Sequence, residues 1–142
     1  MHPGLIERLK AAKSQGDFLY VGIWDDDTTS YFKGESYPLQ GLQERILMAL
    51  AIKYVDDVVI GAPYILTADL LASLNVNKVV NVVTKEDTPR PGLHSIDPFK
   101  AAKELEIYHE LPAVENDLTI EEIALRVKER KEDFQRKFNK KA

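Results

Sequence analysis

The chain has 142 residues, of which 44% are hydrophobic and 30% are charged. This composition is typical of a globular protein, and we expect one domain over residues 1–142. The absence of cysteine excludes disulfide bonds and thiolate metal sites. No apolar run approaches the roughly 20 residues of a membrane span, and the first residues lack a signal-peptide pattern. We therefore expect a cytoplasmic protein.

The net charge of −4 is unevenly distributed along the chain. Residues 126–142 carry eight lysines and arginines against three acidic residues, whereas residues 1–125 carry eleven basic and twenty acidic residues. A basic helical tail at about 126–142 can contact an anionic membrane surface weakly, or it can be an ordinary solvated helix end. We expect no nucleic-acid partner.

The predicted elements alternate between helices and short apolar strands. In the first half they are a helix ending near Gly16, a strand over 18–24, a polar loop over 25–41, a helix over 42–55 and a strand over 57–62. The strands lack polar alternation, which is typical of strands buried on both faces.

The second half continues this alternation. It contains a helix capped by Thr67, a strand over 77–83, a proline-rich loop, a short helix after Asp97-Pro98, a strand over 107–111 and a final helix opened by a Thr119–Glu122 capping box. Alternating strands and helices predict an α/β fold with a doubly wound parallel sheet. Ligands of such sheets bind at the carboxyl ends of the strands.

Several side chains of the first half are suited to binding an anion. Lys33 precedes Gly34 in the predicted loop, and Arg45 and Lys53 lie on one predicted helix. A flexible lysine can neutralise developing phosphate charge, although an ordinary solvent lysine explains the same position. Tyr64 follows a strand, where an aromatic ring either packs or contacts a cationic substrate.

Three segments together resemble the cytidylyltransferase family. They are VGIWDDDTTSYFKG (21–34), LQERILMALAIKYVDDVVIGAPY (42–64) and DPFKAAKELEIYHEL (97–111). The last is similar to the carboxyl-terminal repeat of members that act on phosphoethanolamine. The resemblance implies a Rossmann-like nucleotidyltransferase fold and transfer of CMP from CTP to phosphoethanolamine, with Mg²⁺ accompanying CTP. It also implies a partner repeat or a homodimer.

The resemblance further implies roles for individual residues. His2 and Gly4 fall on a His-x-Gly-His turn that binds triphosphate at a helix N-terminus, but Leu5 replaces the second histidine. His2 and Lys33 match catalytic positions, and Tyr64 matches an aromatic residue of the amino-alcohol pocket. The nucleotide-binding positions are His2, Gly4, Asp26, Arg45, Lys53 and Thr119. Thr119 is better explained as a helix cap than as a phosphate contact, and no residue is expected to hold a metal.

The resemblance also implies an apolar strand before the His-x-Gly turn, and this sequence begins after that point. We therefore expect the doubly wound sheet to lack its first strand. Together with the loss of the second histidine, this leaves an alternative function open: a non-catalytic cytidylyltransferase-like domain that supports a catalytic partner repeat. A third reading, transfer to glycerol 3-phosphate, is disfavoured by residues 97–111.

Overall fold

The computed structural model describes residues 3–82, 96–112 and 120–139. Helical segments and strands alternate along these ranges, as predicted, and two of the helical segments each contain two helices. In chain order the elements are α1 (Pro3–Lys13), β1 (Tyr20–Ile23), α2 (Asp26–Lys33), α3 (Leu42–Leu50), β2 (Asp57–Ile60), α4 (Ala68–Ser73), β3 (Val79–Val82), α5 (Lys100–Glu104), β4 (Tyr108–Leu111), α6 (Ile120–Glu129) and α7 (Lys131–Asn139).

All four of these strands pair in parallel, which confirms the predicted strand direction. In the described residues they form two two-stranded sheets, one of β1 with β2 and one of β3 with β4. Tyr20 is opposite Asp57 in the first sheet, and Val79 is opposite Tyr108 in the second. Helices α3 and α5 make the crossovers within the two sheets, which is the βαβ arrangement of a Rossmann-like α/β fold.

The first strand is less buried than its apolar sequence predicts. In β1 only Ile23 is buried, at 7% exposure, whereas Tyr20 is 37% exposed and Gly22 is also exposed. Burial on both faces requires neighbouring strands and helices on every side, and in the described structure β1 pairs with β2 alone. The prediction of strands buried on both faces was therefore wrong for β1. It was also wrong for β2, in which no residue is buried and Ile60 is 59% exposed.

The best-packed core lies on the β3–β4 sheet. Leu71 of α4, Val79 of β3 and Ala102 of α5 are buried together there. Phe99 and Tyr108 pack at the edge of this cluster, with their ring centroids 5.1 Å apart. Thr67 caps α4 as predicted, because its Oγ1 accepts a hydrogen bond from the Leu70 N–H at 3.2 Å.

The predicted loop over 25–41 contains a helix, α2. Asp25 caps it by accepting a hydrogen bond from the Thr28 N–H at 2.6 Å, and Asp26 and Asp27 complement the helix dipole in the first turn. The helix ends at Gly34, whose φ of 120° is readily adopted by glycine. The hydrogen bond from Thr28 also lowers the pKa of the Asp25 carboxyl.

Helix α1 connects the two sheets. At its C-terminal end the Lys13 ammonium donates to Asp56 at 2.6 Å, next to the amino ends of β1 and β2, and the same carboxylate accepts from the Leu19 N–H. In its N-terminal half the Arg8 guanidinium donates to the carbonyl of Val82, the last residue of β3, at 3.2 Å. The helix therefore runs opposite to the strands, and Arg8 lies at the carboxyl end of the sheet.

The predicted final helix is two helices, α6 and α7, separated at Arg130. Thr119, the predicted cap, lies outside the described residues. No helix in the described ranges is both long enough and apolar enough to cross a membrane.

Candidate functional site

Three aromatic side chains gather at the carboxyl ends of β1 and β2. Trp24 directly follows β1, Tyr64 follows β2, and Phe32 is in the last turn of α2. Phe32 stacks on Tyr64 with a centroid distance of 3.6 Å and an interplanar angle of 11°, and Trp24 lies 5.3 Å from Tyr64. This aromatic cluster fixes the C-terminal end of α2 against the end of β2.

An acidic side chain of the segment that precedes α5 influences the aromatic cluster. Partial burial, and then the negative charge of Asp97, raise the pKa of Tyr64. Asp97 itself accepts hydrogen bonds from Lys103 at 2.8 Å and from the Phe99 N–H at 3.0 Å, and these lower its pKa. A hydrogen bond from the Leu66 N–H to the Pro98 carbonyl, at 2.9 Å, joins the same two regions. The carboxyl ends of both sheets thus border one site.

An ion pair joins the first turns of α2 and α3. The Arg45 guanidinium donates from Nη2 to Asp26 Oδ1 at 2.5 Å and from Nε to the Gln40 carbonyl at 3.1 Å. The second carboxylate oxygen of Asp26 accepts from the Leu42 N–H at 3.3 Å. Arg45 is 20% exposed and Asp26 is 50% exposed. Two of the predicted nucleotide-binding residues are therefore brought together, but as an acid and a base that partly neutralise each other.

Lys33 lies near this site and Lys53 does not. Lys33 is the exposed last residue of α2, adjacent to Phe32 of the aromatic cluster. Lys53 is also exposed, but it precedes β2, and its ammonium lies 5.0 Å from the ring centroid of Tyr54. Lys53 therefore lies near the amino end of β2, whereas Tyr64 lies near its carboxyl end.

The predicted triphosphate turn is described only in part. Gly4 lies in the first turn of α1, one turn before Arg8, and hence near the carboxyl end of β3. Its partner His2 and the predicted Thr119 lie outside the described residues. Among the residues that the structure describes, no group of three or more His, Asp or Glu side chains is arranged to hold a metal ion.

Sequence reasoning missed three residues of this site: Trp24, Phe32 and Asp97. The signal for Trp24 was present, since it ends the apolar run of β1 just as Tyr64 follows β2. Phe32 was overlooked because the segment around it was interpreted as a loop. Asp97 was interpreted only as a helix cap, and its proximity to Tyr64 depends on the packing of the two sheets.

Comparison with known proteins gives relatives along nearly the whole chain. This chain is 39% identical to the ethanolamine-phosphate cytidylyltransferase of Dictyostelium discoideum over 140 residues, which is 99% of this chain and 38% of that protein. It is 34% identical to the enzyme of the same name from Arabidopsis thaliana over 141 residues, 99% of this chain and 33% of that protein. The chain thus spans about a third of the length of these relatives.

A shorter similarity extends to a protein with another name. The chain is 40% identical over 74 residues to the FAD synthase of Pyrococcus horikoshii, which is 52% of this chain and 49% of that protein. The family model described as cytidylyltransferase-like matches residues 1–134. With parallel βαβ units and a match over almost its full length, this chain belongs to the cytidylyltransferase-like family.

Proposed function

We propose that this chain takes part in the transfer of CMP from CTP to phosphoethanolamine, which forms CDP-ethanolamine and pyrophosphate. The observation that carries the proposal is the similarity to ethanolamine-phosphate cytidylyltransferases over 99% of the chain. The similarity to an FAD synthase covers about half of the chain and supports nucleotidyl transfer without favouring another acceptor.

The reaction needs alignment and charge neutralisation rather than a covalent enzyme intermediate. A phosphate oxygen of phosphoethanolamine attacks the α-phosphorus of CTP in line. The bond from this phosphorus to the oxygen that bridges it to the β-phosphate breaks, and pyrophosphate leaves. Mg²⁺ bound to the phosphates of CTP would neutralise part of their charge.

The described residues supply cations and an aromatic surface for these tasks. Lys33, exposed at the end of α2, is suited to neutralising the charge that develops on the phosphates. Arg45 is suited to holding a phosphate group, because its planar fork binds phosphate oxygens in pairs. The negative charge of Asp97 contributes to the raised pKa of Tyr64, and the two side chains would offer a ring and a negative charge to the ammonium of phosphoethanolamine.

Turnover by the purified chain tests the proposal. We expect formation of CDP-ethanolamine from CTP and phosphoethanolamine, followed by phosphorus NMR, and a loss of about a hundredfold in kcat/KM on Lys33→Ala. Lys33→Arg should retain more activity, since it keeps the charge. Lys100→Ala is the matched control, because Lys100 is 75% exposed and pairs with Glu104 on α5. Equal activity of wild type and Lys33→Ala would contradict the role of Lys33.

A second candidate function is a non-catalytic domain that supports a catalytic partner repeat. The observation that favours it is the ion pair of Arg45 with Asp26, because this carboxylate opposes an incoming triphosphate. Leu5, where the family resemblance implies a second histidine, also removes one donor to the phosphates. Calorimetric titration with CTP and Mg²⁺ separates the two functions: binding supports the catalytic one, and absence of binding at millimolar CTP supports the second.

A further inference from the structure

Lys103 of α5 contacts both a carboxylate and an aromatic ring. Its ammonium donates to Asp97 Oδ2 at 2.8 Å and lies 4.9 Å from the ring centroid of Tyr108. The hydrogen bond to Asp97 is the main reason why the pKa of Lys103 is raised, and the negative charge of Glu110 adds to the increase. Lys103 is 48% exposed and Asp97 is 44% exposed. The ammonium is therefore charged, and it partly neutralises a carboxylate that small solutes can reach.

The path of the lysine side chain is determined by α5 and β4 together. Lys103 lies in the last turn of α5, six residues after Asp97. Side chains of a helix point toward its N-terminus, so the lysine stem runs back toward the start of α5. The Tyr108 ring beside it is held in turn, because its phenol accepts from the Asn81 amide at 3.1 Å and donates to Glu110 at 3.0 Å.

The position of Asp97 does not depend on Lys103 alone. The Phe99 N–H donates to Asp97 Oδ1 at 3.0 Å, and the Leu66 N–H donates to the carbonyl of Pro98 at 2.9 Å. Leu66 and Phe99 also pack against the same apolar core. Leu66 lies between β2 and α4, in the segment that also carries the tyrosine of the aromatic cluster. Loss of Lys103 should therefore change the charge around Asp97 more than its position.

We propose that Lys103 is a specificity-determining residue that acts through Asp97: by partly neutralising this carboxylate, it limits how strongly the site prefers an acceptor with an ammonium group over an uncharged one. The inference rests on the proposed function, in which Tyr64 and Asp97 offer a ring and a negative charge to the ammonium of phosphoethanolamine. Lys103 and the substrate ammonium are two cations near one carboxylate, so each weakens the attraction for the other. The carboxylate can accept from both, because each oxygen has two lone pairs.

Acceptors with and without an ammonium group should respond differently to loss of the lysine charge. Lys103→Met keeps an unbranched apolar side chain and removes the charge. The KM for phosphoethanolamine should fall about threefold with little change in kcat. The inhibition constant of propyl phosphate, in which a methyl group replaces the ammonium, should not change. Lys103→Arg should resemble wild type, and Lys100→Met, which removes the same charge from the same helix, is the matched control.

Titration of Tyr64 tests the electrostatic link without substrate or turnover. Carbon NMR of protein labelled at the tyrosine Cζ atoms reports each phenol, and Tyr64→Phe identifies the signal. Lys103→Met should raise the pKa of Tyr64 further, because the negative charge of Asp97 is then less compensated. When Asp97 is already replaced by Asn, the same substitution should leave this pKa unchanged. A merely structural role of Lys103 would not make its effect depend on the charge of Asp97.

Three results would overturn the proposal. They are an unchanged or lower pKa of Tyr64 in Lys103→Met, the same change of this pKa when Asp97 is already replaced, and equal changes in affinity for phosphoethanolamine and propyl phosphate. Where Lys103→Met fails to fold, Lys103→Gln takes its place. Absence of turnover in wild type would contradict the proposed function alone, and the Tyr64 titration and calorimetric binding of the two phosphates would still decide the role of Lys103.

Discussion

Loss of the ion pair between Asp26 and Arg45 should have opposite effects on stability and on nucleotide binding. The free energy of unfolding should fall, whereas CTP should bind more tightly. The substitution Asp26→Asn keeps the shape of the side chain and removes its charge. Its amide oxygen can still accept from Leu42 or Arg45, and Arg45 keeps its hydrogen bond to the Gln40 carbonyl. The guanidinium should therefore stay in position while its net positive charge is less compensated.

Both effects can be given a size. Asp26 is half exposed, so loss of the pair should lower the free energy of unfolding by about 0.5–1 kcal/mol. Removing one negative charge a few ångströms from a phosphate in a high-dielectric surface site is worth about 1 kcal/mol, which corresponds to about fivefold tighter CTP binding. The gain should shrink in high salt, because counterions screen the charge.

Chemical denaturation and calorimetric titration with CTP measure the two quantities. Arg45→Gln should weaken CTP binding, and Asp27→Asn is the matched control, since it removes the same charge from the same helical turn. A fall in CTP affinity on Asp26→Asn would refute the reasoning and make Asp26 a residue that positions Arg45. Equal gains on Asp26→Asn and Asp27→Asn would attribute the effect to net charge alone.

Three further predictions concern stability and titration. Thr67→Ala removes a helix cap and should lower the free energy of unfolding by about 1 kcal/mol. Thr67→Ser keeps a hydroxyl group, so it should lower the free energy of unfolding by less in the same chemical denaturation experiment. The hydrogen bond from Lys13 lowers the pKa of Asp56, so its stabilisation is present above the ordinary aspartate pKa and is lost as pH falls through the lower value of the folded state. Between about pH 5 and 2 the melting temperature should therefore fall more steeply in wild type than in Asp56→Asn, and parallel curves would contradict this. Asp97→Asn should lower the pKa of Tyr64, measured by ultraviolet titration, although the part of the increase that is due to burial should remain. An unchanged pKa would mean that the Asp97 carboxylate does not act on the phenol.

The strands were predictable because their signal is local. Apolar runs rich in Val and Ile occur at β1, β2 and β3, and a shorter segment over 107–111 that ends before Pro112 marks β4. The structure forms each strand within its predicted range. Strand direction was also predictable, since each strand is separated from the next by a helical segment. What the sequence did not reveal is how the strands divide into two sheets, because sheet edges depend on contacts between distant segments.

Helix α2 was missed although its start carries a recognisable signal. Asp25 is the cap of this helix, and Asp26 and Asp27 form an acidic first turn. The segment was nevertheless interpreted as a loop, because Gly34 and Pro38 are residues typical of turns. The helix has little apolar periodicity, because its one well-packed aromatic residue, Phe32, is held by Tyr64 of another element. Tertiary packing, rather than local pattern, therefore determines this helix.

Only part of the candidate site was predictable from the sequence. The family resemblance selected Lys33, Arg45 and Tyr64, and all three lie around the carboxyl ends of β1 and β2. It did not predict that Asp26 would neutralise Arg45, nor that Lys53 would lie at the opposite edge. Both outcomes depend on where each helix begins and ends, and residue types at a given spacing do not fix this.

The division into two sheets also has a consequence for how the fold opens. Each sheet has its own crossover helix, and α1 is attached to both sheets through the hydrogen bonds of Arg8 to Val82 and of Lys13 to Asp56. The β3–β4 half contains the buried Leu71 and Ala102, so its local opening should need a larger free energy than the opening of the β1–β2 half. The protein would then unfold in two cooperative stages, with the half that carries Lys33 and Arg45 opening first.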